Sequence, residues 1–433
     1  MPVIPEGIAY AYTHETTQAT TGYFSCQPPA SLTLPQALAR LEATPFDDFL
    51  RQHCLRQLSR RSPEEIKNLA DELYDRETDS FRRMGLAGLL LECSLLVPEL
   101  AHCCDGFPED ALQRLTLSSS LIYLRAASRK DFGLMQAWSA HFADNIARHH
   151  MLPHWEELEL ELPYSEEELE VCREGLRARA GILEREHARM QAEDLPRLER
   201  RPAQEIYEQA VNALLENDVL AGQEMRHQAS LSPIALLRSW KVDLAVDCGR
   251  MRHSLRGEAT AYGRGLSLAA ARASYAMEIV ERASSYVSVA RTGEHTFEVT
   301  NRRRPMPLVH ASCAKLRSQG KDFLPLSSLP LETPFEDYVP LYWLEARDPE
   351  GKAVLVPAQA VFLFCNLDEQ SLFLAGGSTG LASGNTEAEA RLAALTEIVE
   401  RDAEATTPFS REGCFVLKSR DERLQALLDD YAA

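Results

Sequence analysis

The chain is predicted to be an α+β protein: a mostly helical region over residues 1–234 precedes an α+β domain over residues 235–433. Three observations carry this. From Leu32 to about Leu237 apolar residues recur at helical spacing. After Trp240 the spacing shortens to two, and strand-like pieces separate two longer helical stretches. Those two stretches are copies of one another at a fixed offset.

The helical region is the plainer part. Ser62-Pro63-Glu64-Glu65 has the form of a helix start, with a capping serine, proline at the first helical position and acids in the first turn. Ile66, Leu69, Ala70 and Leu73 continue it at helical spacing. Gly85 to Val97 is strongly apolar and reads as a buried helix. Tyr164-Ser165-Glu166-Glu167-Glu168 opens another helix that runs through alternating charges toward Arg189, and Gln204 to Leu215 gives a further one. The acidic run Glu156 to Glu161 reads as a solvated helix face. The first 30 residues are Thr-rich and show no clear period, which leaves room there for early strands of the following domain.

In the α+β domain Val242 to Asp247 alternates like a half-buried strand. Further strands are expected over Tyr286–Ala290, Thr296–Thr300, Val339–Glu345, Ala353–Pro357 and Ala360–Cys365, and helices over Ser267–Ala283 and Thr386–Ala403. Asp348-Pro349-Glu350-Gly351-Lys352 is a turn signal between two of the strands.

Bulk properties bound the function. The 433 residues suffice for two or three cores. The formal net charge of −19 repels phosphate backbones, which argues against general nucleic-acid binding, and the basic knot Asn301-Arg302-Arg303-Arg304 is too short to reverse it. No run approaches the length of a membrane span, and the N-terminus lacks the pattern of a signal peptide, so a cytoplasmic location is expected. The ten cysteines show no CxxC pair and read as free thiols.

The repeat carries the functional argument. Gly265 to Arg282 aligns without gaps on Gly384 to Arg401 at an offset of 119, with nine of eighteen positions identical. The identities include Gly265/Gly384, Arg272/Arg391, Glu278/Glu397, Glu281/Glu400 and Arg282/Arg401. In each copy glycine permits a tight approach into the helix, and Ser267 or Thr386 is placed to cap it. Two glutamates three residues apart share one face, and Glu389, eight residues before Glu397, lies about 80° round the same helix. One Glu-x-x-Glu-Arg alone reads as a surface helix with an internal ion pair. Two related copies tend to pack as a unit, and several carboxylates converging there need cations to stay ionised. Hard oxygen ligands suit Mg²⁺, which commonly bridges carboxylates and nucleotide phosphates.

These segments resemble the YcaO family, whose members activate peptide amides with ATP. The resemblance rests on Ser274-x3-Glu278-x2-Glu281-Arg282, on Gly377 to Thr386 followed by Glu389, Glu397, Glu400 and Arg401, and on Tyr342-Trp343-Leu344-Glu345 and Val354-Leu355-Val356-Pro357 between them. It covers residues 235–433 and implies a YcaO-like ATP-binding fold with an internal pseudo-repeat. It further implies that Glu278, Glu281, Glu389, Glu397 and Glu400 hold Mg²⁺. Arg282 and Arg401 then steady carboxylates or phosphates, while Ser274 and Asn385 contact ATP.

The implied reaction phosphorylates a peptide backbone amide and ends in an azoline or a thioamide, the attacking nucleophile being unassigned. The implied partners are a peptide or protein substrate, a sulfur-delivery or precursor-binding protein and a second copy in a homodimer. Since family members continue well beyond Arg401, the domain is expected to be C-terminally incomplete. Two other readings stay open: an accessory factor supporting methylthiolation of a ribosomal protein, and a non-catalytic helical scaffold.

Overall fold

The structure, a computed structural model, describes residues 7–16, 22–75, 80–118, 122–127, 131–193, 201–228, 232–300, 304–329, 331, 335–348, 350–363, 366–373, 377–414, 416 and 418–432. Residues 301–303 of the basic knot lie outside these. The elements in chain order begin with β1 (Ile8–Thr16), β2 (Gly22–Gln27), α1 (Leu34–Ala43), α2 (Asp48–Leu58) and α3 (Pro63–Leu73). A two-residue pair, β3 (Tyr74–Asp75) and β4 (Ser80–Phe81), leads to α4 (Met84–Leu96), α5 (Glu109–Ser118) and α6 (Ile122–Ala127). Then come α7 (Phe132–Arg148), α8 (Glu166–Ala192), α9 (Ala203–Glu216), β5 (Leu220–Arg226), β6 (Ile234–Cys248), β7 (Met251–Gly265) and α10 (Leu268–Ser285). The chain continues through β8 (Val289–Arg291), β9 (Phe297–Val299), β10 (Met306–Ser312), α11 (Cys313–Ser318), β11 (Pro340–Arg347) and β12 (Ala353–Pro357) to α12 (Glu387–Thr406) and α13 (Glu422–Ala432).

The fold is α+β, and it divides into two compact units. The first comprises residues 1–129 and 199–396, the second residues 130–198 and 397–433, so the boundary falls inside α12.

The first unit is built on a ten-stranded sheet of order β12-β11-β10-β9-β8-β6-β7-β1-β2, with β5 also paired to β6. Its spine is the β6–β7 hairpin, whose register runs from Ile234 opposite Gly265 to Cys248 opposite Met251. The alternation in β6 is that of a strand with one covered face: Trp240, Val242, Leu244 and Val246 are buried, and Lys241 and Asp243 are exposed. Helices α1 to α5 and α10 share one core with this sheet, in which Leu50, Leu58, Ile66, Leu90 and Leu115 join Tyr10, Leu255, Tyr275 and Ile279. Burying each such side chain contributes roughly 1.5–3 kcal/mol.

Local signals formed as the residues dictate. Ser62 and Glu65 make a capping box at α3, and Ser165 and Glu168 make one at α8. Nine of the thirteen residues of α4 are buried, in keeping with its apolar composition.

One open expectation is filled and two change. The N-terminal segment, which showed no period, supplies β1 and β2, and β1 lies parallel to β7. Its signal was the alternation of Ile8, Tyr10 and Tyr12, all buried. Glu156 to Glu161 is not a helix face, because the regular structure there is one 3-10 turn, Trp155–Glu157, in a segment that runs into Pro163. Residues 361–363 are not strand: a 3-10 turn at Ala358–Ala360 follows Pro357 and breaks the extended path, while 364 and 365 lie outside the described residues.

The second unit contains α7, α8, α13 and the C-terminal half of α12. Its buried polar anchor is Asn145, which donates to the carbonyls of His150 at 2.8 Å and Phe409 at 3.1 Å and accepts from Phe409 N at 2.8 Å. Among the described residues, no helix is long and apolar enough to cross a membrane.

Candidate functional site

The site begins at α10. Ser267 Oγ accepts from Ala270 N at 3.1 Å, so the expected cap is formed. A Cβ on Gly265 would lie 2.8 Å from Ala270 Cβ and from Ala271 N, which is why only glycine lets the chain fold back onto its own first turn. Ala271, Tyr275, Ala276 and Ile279 face the core. Arg272 fixes the helix from another side, donating to both oxygens of Glu224 on β5, and Tyr275 Oη donates to the same carboxylate at 2.8 Å.

With those faces committed, Ser274, Glu278 and Glu281 share a stripe at i, i+4 and i+7, and Ser274 is exposed. Arg282 sits between the two carboxylates, 3.8 Å from Glu278 and 3.4 Å from Glu281. Glu278 also accepts from Tyr262 N at 3.2 Å. Burial still pushes its carboxyl above the usual range, against the opposing pull of that N–H and of Arg282.

The lead-in to α12 meets this helix. Ser383 Oγ donates to the Met277 carbonyl at 2.8 Å. Gly384 repeats the part of Gly265, since a Cβ there would run into Ala390 N. Asn385 donates from both its backbone N and its side chain to Glu389 Oε2, each at 2.8 Å, and Glu389 N donates to Thr386 Oγ1 at 3.2 Å. The second expected cap is therefore formed as well. Between α10 and this loop lies a cavity of about 490 Å³, lined in part by Glu281, Ser284, Ser285, Ser383, Asn385 and Thr386.

A second group of residues, invisible to motif reasoning, holds the preceding segment. Asp368 accepts from Arg250 N at 2.7 Å, Nε at 3.0 Å and Nη2 at 2.8 Å. Glu369 accepts from Tyr342 N at 2.6 Å and is pushed up to about 8 by burial, which outweighs that hydrogen bond. Gln359 brackets the same stretch, donating to Gln370 O and accepting from Leu372 N. These partners lie tens to more than a hundred residues away along the chain, and no local pattern announces them. The serines at 383, 284 and 285 had a faint signal in the hydroxyl-rich composition around both helices.

Of the residues singled out in the sequence, the structure brings together Glu278, Glu281 and Arg282, and separately Asn385 and Glu389; Glu281 and Asn385 line one cavity. Glu397, Glu400 and Arg401 lie on the part of α12 assigned to the second unit. There Arg401 pairs with Glu404 at 3.0 Å, whereas its counterpart Arg282 pairs with the carboxylates of its own motif.

Among the described residues, no three acidic, histidine or cysteine side chains form a ready metal cage. Mg²⁺ does not demand one, because it is usually held by one or two carboxylates with phosphate oxygens and water completing its octahedron. The hard-oxygen pair Glu278 and Glu281, with Glu281 on the cavity wall, fits that requirement in chemistry.

Residues 262–433 match the family model described as YcaO cyclodehydratase, ATP- and Mg²⁺-binding. No curated protein sequence matches the chain. Among solved structures, the chain is similar to a YcaO from Methanopyrus kandleri bound with AMPPCP and Mg²⁺. That match has 21% identity over 49% of this chain and 46% of that one, with a TM-score of 0.30. It is also similar to a heterocyclase in complex with substrate and cofactor, at 20% identity over 48% of this chain and 29% of that one, with a TM-score of 0.31. The match thus spans less than half the length of either structure.

Proposed function

We propose, from the YcaO segment that residues 262–433 carry, that this chain uses ATP and Mg²⁺ to activate a backbone amide of a peptide or protein. The observation that carries the reading is the meeting of the first copy's helix with the start of the second copy. Glu281 of the first helix and Asn385 and Thr386 leading into the second place polar groups on the wall of one cavity that Val361, Phe362 and Leu381 also line, and Ser383 ties that wall to α10.

In this reading the γ-phosphoryl group of ATP passes to the amide oxygen and ADP departs. A cysteine, serine or threonine side chain, or an external sulfide, then attacks the activated carbon. Inorganic phosphate leaves, giving an azoline or a thioamide. Mg²⁺, when bound, neutralises charge on the transferring phosphoryl group. Glu278, Glu281 and Glu389 are the proposed ligands, of which Glu281 lines the cavity, and Arg282 steadies the two carboxylates it touches. Ser274 and Asn385 are proposed nucleotide contacts. Glu397, Glu400 and Arg401 keep, from the repeat, the roles of their first-copy counterparts. A protein that delivers sulfide or a precursor peptide is the partner this chemistry would use.

The test is titration of the full chain with Mg²⁺ and ATP, then with each of Glu278→Gln and Glu281→Gln. The expected result is saturable, Mg²⁺-dependent binding that weakens at least tenfold in each variant while the unfolding transition stays in place. Binding that ignores both substitutions would remove the proposed site. Phosphate release stimulated by a peptide separates catalysis from an accessory role.

A further inference from the structure

The helix α8 spans 27 residues, Glu166–Ala192, and none of its side chains is buried. A helix this exposed is ordinarily polar all round. This one is not. Leu169, Leu176, Leu183 and Met190 recur at every seventh residue, and the last three are 63%, 70% and 54% exposed. Arg173, Ala180 and His187 follow Leu169, Leu176 and Leu183 by four residues, which completes a 4-3 alternation along one stripe. A seam with this period is what one helix presents to another in a two-stranded coiled coil, with leucine at the d position.

The charges select the partner and its direction. Positions 166–176 hold five glutamates against the single Arg173, and positions 177–192 hold four arginines against two glutamates. Two copies side by side in parallel would set glutamate-rich half against glutamate-rich half, and Arg173 against Arg173. Reversed, the acidic half of each copy lies along the basic half of the other. Among the described residues, the ion pairs of α8 join Arg173 and Arg177 to Glu170 at 3.2 and 3.0 Å, and Arg189 to Glu186 and Glu193 at 2.8 and 3.5 Å, all within the helix or at its C-cap.

We propose that α8 is a self-association helix, pairing antiparallel with α8 of a second copy of this chain. The seam is independent of the nucleotide site, so the two readings stand or fall separately.

Sedimentation of the full chain over a concentration series tests it, alongside the double variant Leu176→Asp/Leu183→Asp. Because no α8 side chain is buried, the variant should keep the circular dichroism and unfolding midpoint of the parent. The expected result is a dimer for the parent and a dissociation constant raised at least tenfold in the variant. A parent that stays monomeric throughout, or a dimer indifferent to the substitutions, overturns the proposal. Direction is read from Cys172, which is exposed on α8. About helix centre 179, the two Cys172 residues of an antiparallel pair stand roughly 20 Å apart, beyond disulfide reach. A Cys172–Cys172 disulfide formed on mild oxidation overturns the antiparallel arrangement.

Discussion

Ser383 Oγ reaches the Met277 carbonyl across 106 residues of sequence, and this 2.8 Å bond joins the lead-in of one repeat copy to the helix of the other. Ser383 also lines the cavity between α10 and the lead-in to α12. Replacing Ser383 with alanine removes one neutral hydrogen bond, about 1 kcal/mol. We expect MgATP affinity to fall roughly fivefold, 1.4 kcal/mol being tenfold. Calorimetric titration of the Ser383→Ala chain reads this directly, and an unaltered affinity would show that the wall does not shape the site.

Arg282 supplies positive charge to Glu278 and Glu281. Without it, the two neighbouring carboxylates repel more strongly, and a divalent cation can take over its charge. Arg282→Met should therefore unfold at a lower temperature than the parent in chelator, with Mg²⁺ recovering much of the difference. If Mg²⁺ leaves the variant's melting temperature where it was, the two glutamates do not face a cation site.

The repeat equates Glu397 with Glu278. Glu397 is only partly covered, so Glu397→Gln should leave folding almost untouched. The ligand role proposed for it requires it for MgATP binding, and we expect binding to be abolished. Full nucleotide affinity in this variant would confine the site to the first copy.

Glu369 carries a pH signature. Its carboxyl is raised to about 8 in the folded chain, well above the ordinary range near 4.3 of an unfolded glutamate. Between those values the folded state binds more protons than the unfolded state. Stability therefore falls as pH rises through that window, and the loss is complete above pH 8. Glu369→Gln should flatten this slope and raise the melting temperature at pH 8 relative to the parent. Parallel melting-temperature profiles for parent and variant from pH 5 to 8 would rule the assignment out.

Asp368, whose side chain is 6% exposed, takes three hydrogen bonds from Arg250. Two of them come from the guanidinium, and Arg250→Ala leaves a buried carboxylate with only the backbone donor. The expected cost is about 2 kcal/mol, below the range for breaking a fully buried pair, because the guanidinium itself is half in solvent. Urea unfolding measures it, and a change under roughly 0.5 kcal/mol would mean water replaces the arginine freely.

What the sequence determined by itself depends on neighbours within one helical turn. The caps at Ser62, Ser165, Ser267 and Thr386, the alternation of β6 and the two acidic copies needed no distant partner. Tertiary structure decided the rest. It placed β1 beside β7, and it set Arg250 on Asp368, 118 positions away. It also gave Arg282 its own motif's carboxylates while Arg401, identical in sequence context, turned to Glu404. Periodicity and capping act over i to i+4 and are written in the order of residues. Pairings between remote segments are chosen by the packing of a shared core, which burial enforces only when the whole chain is folded.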